Sequence, residues 1–182
     1  LILIIIQTIA AMKMSVLNKL LEQRAYTDAH TGLPNKDACE ELLNNKEKVS
    51  EHTACLMFDL NNLKIINDTK GHSKGDQLIF NFAHLLRRVI PQEAFVGRYG
   101  GDEFMVVIYN TSKTEIEDIL MQLSREKDSL NSRGNDMPID YACGWAISDA
   151  DSECTIQMLL DKADYYMYEN KQSRKKSKQS LK

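Results

Sequence analysis

Apolar and polar positions fall along this chain in blocks whose lengths and periods predict its elements. Residues 1–14 are apolar with few interruptions. From Val16 to Tyr26 the pattern turns amphipathic, with Val16, Leu17, Leu20, Leu21 and Ala25 at helical spacing among Asn18, Lys19, Glu22, Gln23 and Arg24. One helix over residues 1–26 is expected. Thr31-Gly32-Leu33-Pro34-Asn35 is turn chemistry, with Asn35 suited to cap a helix from Lys36 to Val49. Thr53 to Phe58 is an apolar run of buried-strand length that stops at Asp59. A short helical stretch, Asn62 to Thr69, leads through Gly71 and Gly75 to an amphipathic helix starting at Asp76, with Leu78, Ile79, Phe82, Leu85 and Leu86 on its apolar side. Phe95 to Tyr99 and Phe104 to Tyr109 flank Gly100-Gly101-Asp102-Glu103, the pattern of a β-hairpin. Ser112-x-x-Glu115 is a capping box for a helix carrying Ile116, Ile119, Leu120 and Leu123. A polar turn around Gly134 follows, then a strand in which Ile139, Tyr141, Cys143, Trp145 and Ile147 alternate with smaller or polar residues. The last helix runs from about Thr155 to Lys171, with Ile156, Leu159, Leu160, Ala163, Tyr166 and Met167 facing inward. The order β-α-α-β-β-α-β makes this one α+β domain, a mainly antiparallel sheet covered by helices.

Composition narrows the function classes. At 182 residues with 43% hydrophobic content, the chain buries one core. Its net charge of −3 leaves no nucleic-acid footprint. Cys39, Cys55, Cys143 and Cys154 lack the Cys-x-x-Cys spacing of a zinc site and read as reduced, structural thiols of a cytoplasmic domain. The apolar start is shorter than the roughly 20 residues that span a bilayer, and its flanks are not those of a signal peptide. It is therefore either the end of a truncated transmembrane helix, which would tether the domain to the inner face of the membrane, or an interaction helix. Since the chain opens on Leu1 and not Met, it is read as a piece of something longer. The organisation expected is a helix over 1–26, a globular domain over 27–172 and a solvated basic tail over 173–182.

The chemistry centres on the hairpin tip. A Gly-Gly step gives a tight turn its positive φ and lets a ligand approach the backbone. Two acids entering a buried strand are poor local design, because strands disfavour Asp and Glu and paired carboxylates repel. Taken alone, the pentapeptide fits plain turn chemistry as well as a metal site. Asp59, at the carboxyl end of its own strand, supplies the second half of a cradle for a hard divalent cation such as Mg²⁺, which needs only one or two carboxylates.

Four ordered motifs between residues 26 and 175 resemble the GGDEF domain, the catalytic domain of diguanylate cyclases. They are Asp28-Ala-His-Thr-Gly-Leu-Pro-Asn35, Phe58-Asp-Leu-Asn-Asn-Leu-Lys-Ile-Ile-Asn-Asp68 with Gly71-His72 and Gly75-Asp76, Arg98-Tyr-Gly-Gly-Asp-Glu-Phe104, and Ala163-Asp164 with Met167-Tyr168 and Lys171. The resemblance implies a palm-like nucleotidyl cyclase fold and an enzyme that joins two GTP into cyclic di-GMP and two pyrophosphates. It implies that Asp59, the Leu60 carbonyl and Asp102 hold Mg²⁺ or Mn²⁺, two ions per GTP half-site. Glu103 would assist in holding the ions, Asp102 would accept the proton through metal or water, Lys64 and Lys171 would neutralise the outer phosphates, and Asn67 and Asp76 would read guanine. A carboxylate accepts from guanine's ring N–H and amino group together, a donor pair that adenine lacks, so Asp76 favours GTP and disfavours a related cyclase making adenine products. His72 is placed either to bond substrate or to order its loop. Each domain would bind one GTP, so a homodimer would complete the site, and the leading helix would carry a signal from an upstream sensor. Several positions depart from the family's pattern. Lys175 stands where an arginine is usual, behind Arg174 in place of a glycine, and lysine lacks arginine's planar fork. His30 replaces a leucine and Lys36 an arginine. Pro91-Gln92-Glu93-Ala94 occupies the place of an Arg-x-x-Asp product site, so little product inhibition by that route is expected. The competing reading is a catalytically silent GGDEF-like module that senses GTP or docks a partner.

Overall fold

The computed structural model describes residues 2–50, 52–134, 137–149 and 153–179. Helix α1 (Ile2–Ala25) leads in, and α2 (Lys36–Asn44) follows the turn at Thr31 to Asn35. Then come β1 (Ala54–Leu60), α3 (Leu63–Lys70), α4 (His72–Val89), β2 (Phe95–Arg98), β3 (Glu103–Ile108), α5 (Lys113–Ser132), β4 (Tyr141–Ile147) and α6 (Ile156–Gln179). The strands form one antiparallel sheet in the order β2-β3-β1-β4, so β1 lies inside the sheet.

Side-chain alternation along β1 and β3 feeds two cores. Ala54, Leu56, Phe58 and Leu60, with Phe104, Val106 and Ile108, pack with Leu78, Phe82 and Leu86 of α4 and Ile116 and Leu123 of α5. Cys55, Met57, Met105 and Val107 turn the other way, onto Cys39 and Leu43 of α2 and Leu159, Leu160, Ala163 and Met167 of α6. Burial on both faces explains why these strands read as unbroken apolar runs. In β4 the larger residues Tyr141, Cys143, Trp145 and Ile147 meet the first core, as their alternation predicts. Their small neighbours Ala142, Gly144 and Ala146 are also buried, because the backbone of α6 lies against them.

Local signals account for the ends. Asn35 caps α2 by accepting from the Ala38 N–H, and Ser112 and Glu115 complete their capping box on α5. Helix α2 stops at Asn44, five residues before the expected Val49. Asn45 is extended there, and its side chain accepts from the Glu47 N–H, offering the backbone a turn in place of the next helical bond. Helix α4 begins at His72, behind Gly71 at φ +87°, which places Asp76 one turn inside the helix and not at its start. Tyr166 is exposed at 53%, one position off the buried Ala163 and Met167 stripe, correcting the inward placement. Helix α6 continues to Gln179, so the basic run is helical along its backbone; its side chains, Lys175 among them, lie outside the described residues, as do residues 135 and 136 of the expected turn. Ile2, Ile4, Ile5, Ile6 and Ile9 of α1 are exposed, and among the described residues no helix is long and apolar enough to cross a membrane.

Candidate active site

The hairpin register brings the predicted carboxylates together. Asp59 faces Glu103 across β1 and β3, and the Leu60 N–H donates to the Asp102 carbonyl at 2.8 Å, extending the ladder into the turn. The N–H groups of Tyr99 and Gly100 both donate to the Glu103 carbonyl, at 2.9 and 3.1 Å. Among the described glycines, only Gly32, Gly71 and Gly134 have positive φ, so this turn does not need its glycines for left-handed backbone, contrary to expectation. Gly100 answers a shortage of space: a Cβ there would stand 2.5 Å from a Glu103 carboxylate oxygen. Nothing lies within 4 Å of a Cβ built on Gly101, which leaves that peptide open to an incoming molecule.

Four carboxylates converge at this end of the sheet. Burial pushes the Glu103 carboxyl above its ordinary value, the negative charges of Asp102, Asp59 and Asp164 push it the same way, and Lys171 only partly offsets them. Asp164 has no role in the sequence reading, although it sits in the α6 motif. Lys171 Nζ donates to Asp59 Oδ1 at 2.7 Å, with the two side chains 31% and 13% exposed. The lysine expected on outer phosphates thus neutralises a carboxylate expected on metal. Among the described residues no three His, Cys, Asp or Glu side chains form a complete metal-binding group. The crowding felt by Glu103 is nonetheless an electrostatic arrangement that a divalent cation relieves, and the oxygen donors suit Mg²⁺.

Arg98, which sequence reasoning gave no role, ties the turn to the rest of the domain. Its Nη2 donates to the Gly101 carbonyl at 2.9 Å, its N–H to the Pro34 carbonyl at 2.8 Å, and its Nη1 to Asp28 Oδ2 at 3.1 Å. Asp28 also accepts from the Thr31 N–H and hydroxyl, at 2.8 and 2.7 Å. Burial pushes the Asp28 carboxyl up, but the Thr31 bonds and the Arg98 guanidinium outweigh it and hold it below the usual aspartate value. An arginine two positions before a Gly-Gly turn, with an aspartate three positions before the Thr-Gly turn, was the available signal. Beside the hairpin opens a cleft of ≈ 520 Å³ lined by Asp28, Lys36, Arg98, Gly100, Gly101 and Glu103.

The residues assigned to guanine lie on the α3–α4 pair. Gly75 is buried where a Cβ would stand 1.9 Å from Asn67 Oδ1, so a side chain there would displace the Asn67 amide from its place against α4. That Oδ1 is buried and has no hydrogen-bond partner, a polar atom left for a ligand donor to satisfy. Asp76, the residue after Gly75, is exposed, and Lys64 and His72 are exposed on α3 and at the start of α4. The structure therefore groups Asp59, Leu60, Asp102, Glu103 and Lys171 in one place, and sets Asn67 beside the helix bearing Asp76.

Comparison with known proteins gives the family and the fold. The family described as "Diguanylate cyclase, GGDEF domain" matches residues 25–177. The Bacillus subtilis "Signaling protein YkoW" is 32% identical over 167 residues, covering 88% of this chain and 21% of that protein. The Escherichia coli "Diguanylate cyclase DgcP" is 32% identical over 170 residues, covering 88% of this chain and 48% of its own length. The chain thus spans half or less of these curated relatives. The crystal structure of the GGDEF domain of DgcB from Caulobacter crescentus, in complex with c-di-GMP, superposes with a TM-score of 0.68 at 27% identity, covering 82% of this chain and 91% of that one. The chain belongs to the GGDEF-domain diguanylate cyclase family.

Proposed function

We propose that this domain is an active diguanylate cyclase, condensing two GTP into cyclic di-GMP with release of two pyrophosphates. The observation that carries the reading is the charge of Asp102, Asp59 and Asp164 acting on the half-buried Glu103 carboxyl beside the Asp59–Glu103 register pair, with Lys171 as counter-charge. Asp59, the Leu60 carbonyl and Asp102 would hold Mg²⁺ or Mn²⁺, two ions per GTP, with Glu103 beside them. When bound, the ions supply charge neutralisation at the triphosphate and acidify the attacking 3′-hydroxyl.

The chain's own residues supply position and proton transfer. The partnerless Asn67 amide oxygen and the Asp76 carboxylate fix the guanine edge. Lys64 holds the outer phosphates together with Lys171, which exchanges Asp59 for phosphate as the nucleotide arrives; Lys175 extends the same charge. The open backbone at Gly101 admits the phosphate chain. Asp102 takes the proton of the 3′-hydroxyl as a new oxygen–phosphorus bond forms at the α-phosphate of the facing nucleotide; the bond to the β-phosphate bridging oxygen breaks and pyrophosphate leaves with that electron pair. One domain presents one nucleotide, so a homodimer makes both bonds.

Incubation with GTP and Mg²⁺ at several protein concentrations, with cyclic di-GMP read by mass spectrometry, tests this. Specific activity should rise with protein concentration, and Asp102→Ala should lose turnover by at least about a hundredfold while melting like the wild type. Turnover surviving in Asp102→Ala would sink the assignment. GTP binding without product, in a forced dimer as well, would establish the silent module instead.

A further inference from the structure

His30, the position where this chain departs from the family's leucine, lies 46 residues from Asp76 in sequence and touches it in space. His30 Nε2–H donates to the Asp76 backbone carbonyl at 2.7 Å. The imidazole also meets Phe80, one turn further along α4, edge to face at a centroid distance of 6.4 Å. The bond caps none of the N–H groups at the start of α4, where Gly71 offers no side chain; it adds a donor from another segment to a carbonyl one turn inside the helix. The loop that presents His30 is itself well held. Within it the Asp28 N–H donates to the Leu33 carbonyl and the Gly32 N–H to the Asp28 carbonyl, both at 2.8 Å. Arg87, near the far end of α4, bonds the Gly32 carbonyl. Through Asp28 and Arg98 the same loop is tied to Gly101 in the carboxylate turn. One braced loop therefore links the helix bearing Asp76 to the carboxylate turn, and a leucine at position 30 would pack on Phe80 without donating to that helix.

We propose that His30 is a positioning and specificity-determining residue: by gripping the Asp76 carbonyl it sets the base-reading turn relative to the reacting groups. The inference rests on the GTP reading above. It concerns how tightly and how selectively the base is held, so its signature is in KM and base discrimination and not in kcat.

The test uses the full chain with His30→Leu, His30→Gln, Asp76→Ala and the His30→Leu/Asp76→Ala double variant. Affinity for α,β-methylene-GTP and for its inosine counterpart, which lacks the exocyclic amino group, is measured by calorimetry beside KM, kcat and backbone amide exchange. His30→Leu should weaken guanosine binding about threefold, the scale of one exposed hydrogen bond, and narrow the gap to inosine, with kcat within about a factor of two. Amide exchange in the first turns of α4 should quicken in the same variant. His30→Gln, whose amide still donates, should restore affinity, and His30→Leu should cost nothing further once Asp76 is alanine. Unchanged binding in His30→Leu, failure of glutamine to rescue, or a full His30 effect in the Asp76→Ala background each overturns the inference. A chain that binds neither nucleotide, or binds GTP equally well without Asp76, overturns the GTP reading and this inference together. A chain that binds GTP through Asp76 but ignores His30 overturns the inference alone.

Discussion

Gly144 is the position where one methyl group does most damage. It pairs with Met57 in the β1–β4 register, and its missing side chain is replaced by the backbone of α6. A Cβ there would stand 2.1 Å from the Met167 nitrogen, 2.2 Å from the Ala163 oxygen and 2.7 Å from the Tyr166 carbonyl carbon, where ordinary contact begins at 3.4 Å. None of these atoms belongs to a flexible side chain, so Gly144→Ala requires α6 to retreat by about 1 Å or β4 to buckle. The retreat opens the seam that Leu159, Leu160, Ala163 and Met167 close. Overpacking of this kind costs about 1–3 kcal/mol, and with contact to rigid backbone on three atoms we expect the upper end. For a chain of this size, about 3 kcal/mol lowers Tm by roughly 6–12 °C. The site should register the change too, since Lys171 rides on α6 and a shift of about 1 Å carries its 2.7 Å bond to Asp59 past hydrogen-bonding range. Thermal and urea unfolding of Gly144→Ala against wild type measure the effect, with Gly101→Ala, whose added methyl meets nothing within 4 Å, as the control. A Gly144→Ala protein melting within about 1 °C of wild type would refute the packing argument.

Two further outcomes follow from the carboxylate cluster and the exchanged product motif. The Glu103 carboxyl is raised above its ordinary value of 4.5, so its neutral form favours folding below that pH, and that contribution is lost as pH rises through its elevated folded value. Glu103→Gln, neutral at every pH, should therefore melt higher than wild type at pH 7.5 and near it at pH 4; a lower Tm at pH 7.5 would contradict the crowding argument. At Pro91 to Ala94, a cavity beside the tetrapeptide is lined by Glu93, Glu115 and Asp118 together with Ile108 and Tyr109, and its carboxylates repel a phosphodiester. Cyclic di-GMP should leave initial rates unchanged into the high micromolar range, and noncompetitive inhibition at low micromolar concentration would oppose this.

The sheet and its helices were legible because both faces of β1 and β3 are buried and each run of apolar residues is bounded by a turn or a cap, as at Asn35 and Ser112. What the pattern missed were competitions between neighbours. Asn45 ends α2 with a side-chain bond that hydrophobic periodicity does not record. Gly71 starts α4 a turn early, so Asp76 looked like a cap when it is an interior residue. In β4 the large residues drew attention, whereas the small ones set how closely α6 approaches. The carboxylates were legible at the site because acids are costly where strands are buried. The Lys171–Asp59 pair, the bracing by Arg98 and the His30 contact depend on which distant segments meet, and they span 112, 70 and 46 positions.

Asn35 has a mechanical consequence beyond ending a turn. Its carbonyl oxygen caps α2 while its amide nitrogen donates to the Ala25 carbonyl, the last residue of α1, at 2.6 Å, and its own N–H donates to the Tyr26 carbonyl at 3.0 Å. Helix α1 has 24 residues and is about 36 Å long, a stiff rod whose many exposed side chains leave it unsupported along its shaft. A rod anchored at its foot is a lever, and Asn35 is a hinge pin. Torque applied along α1 reaches the globular body at this foot, where Asn35 joins the end of α1 to the start of α2 beside the Thr27–Pro34 bridge.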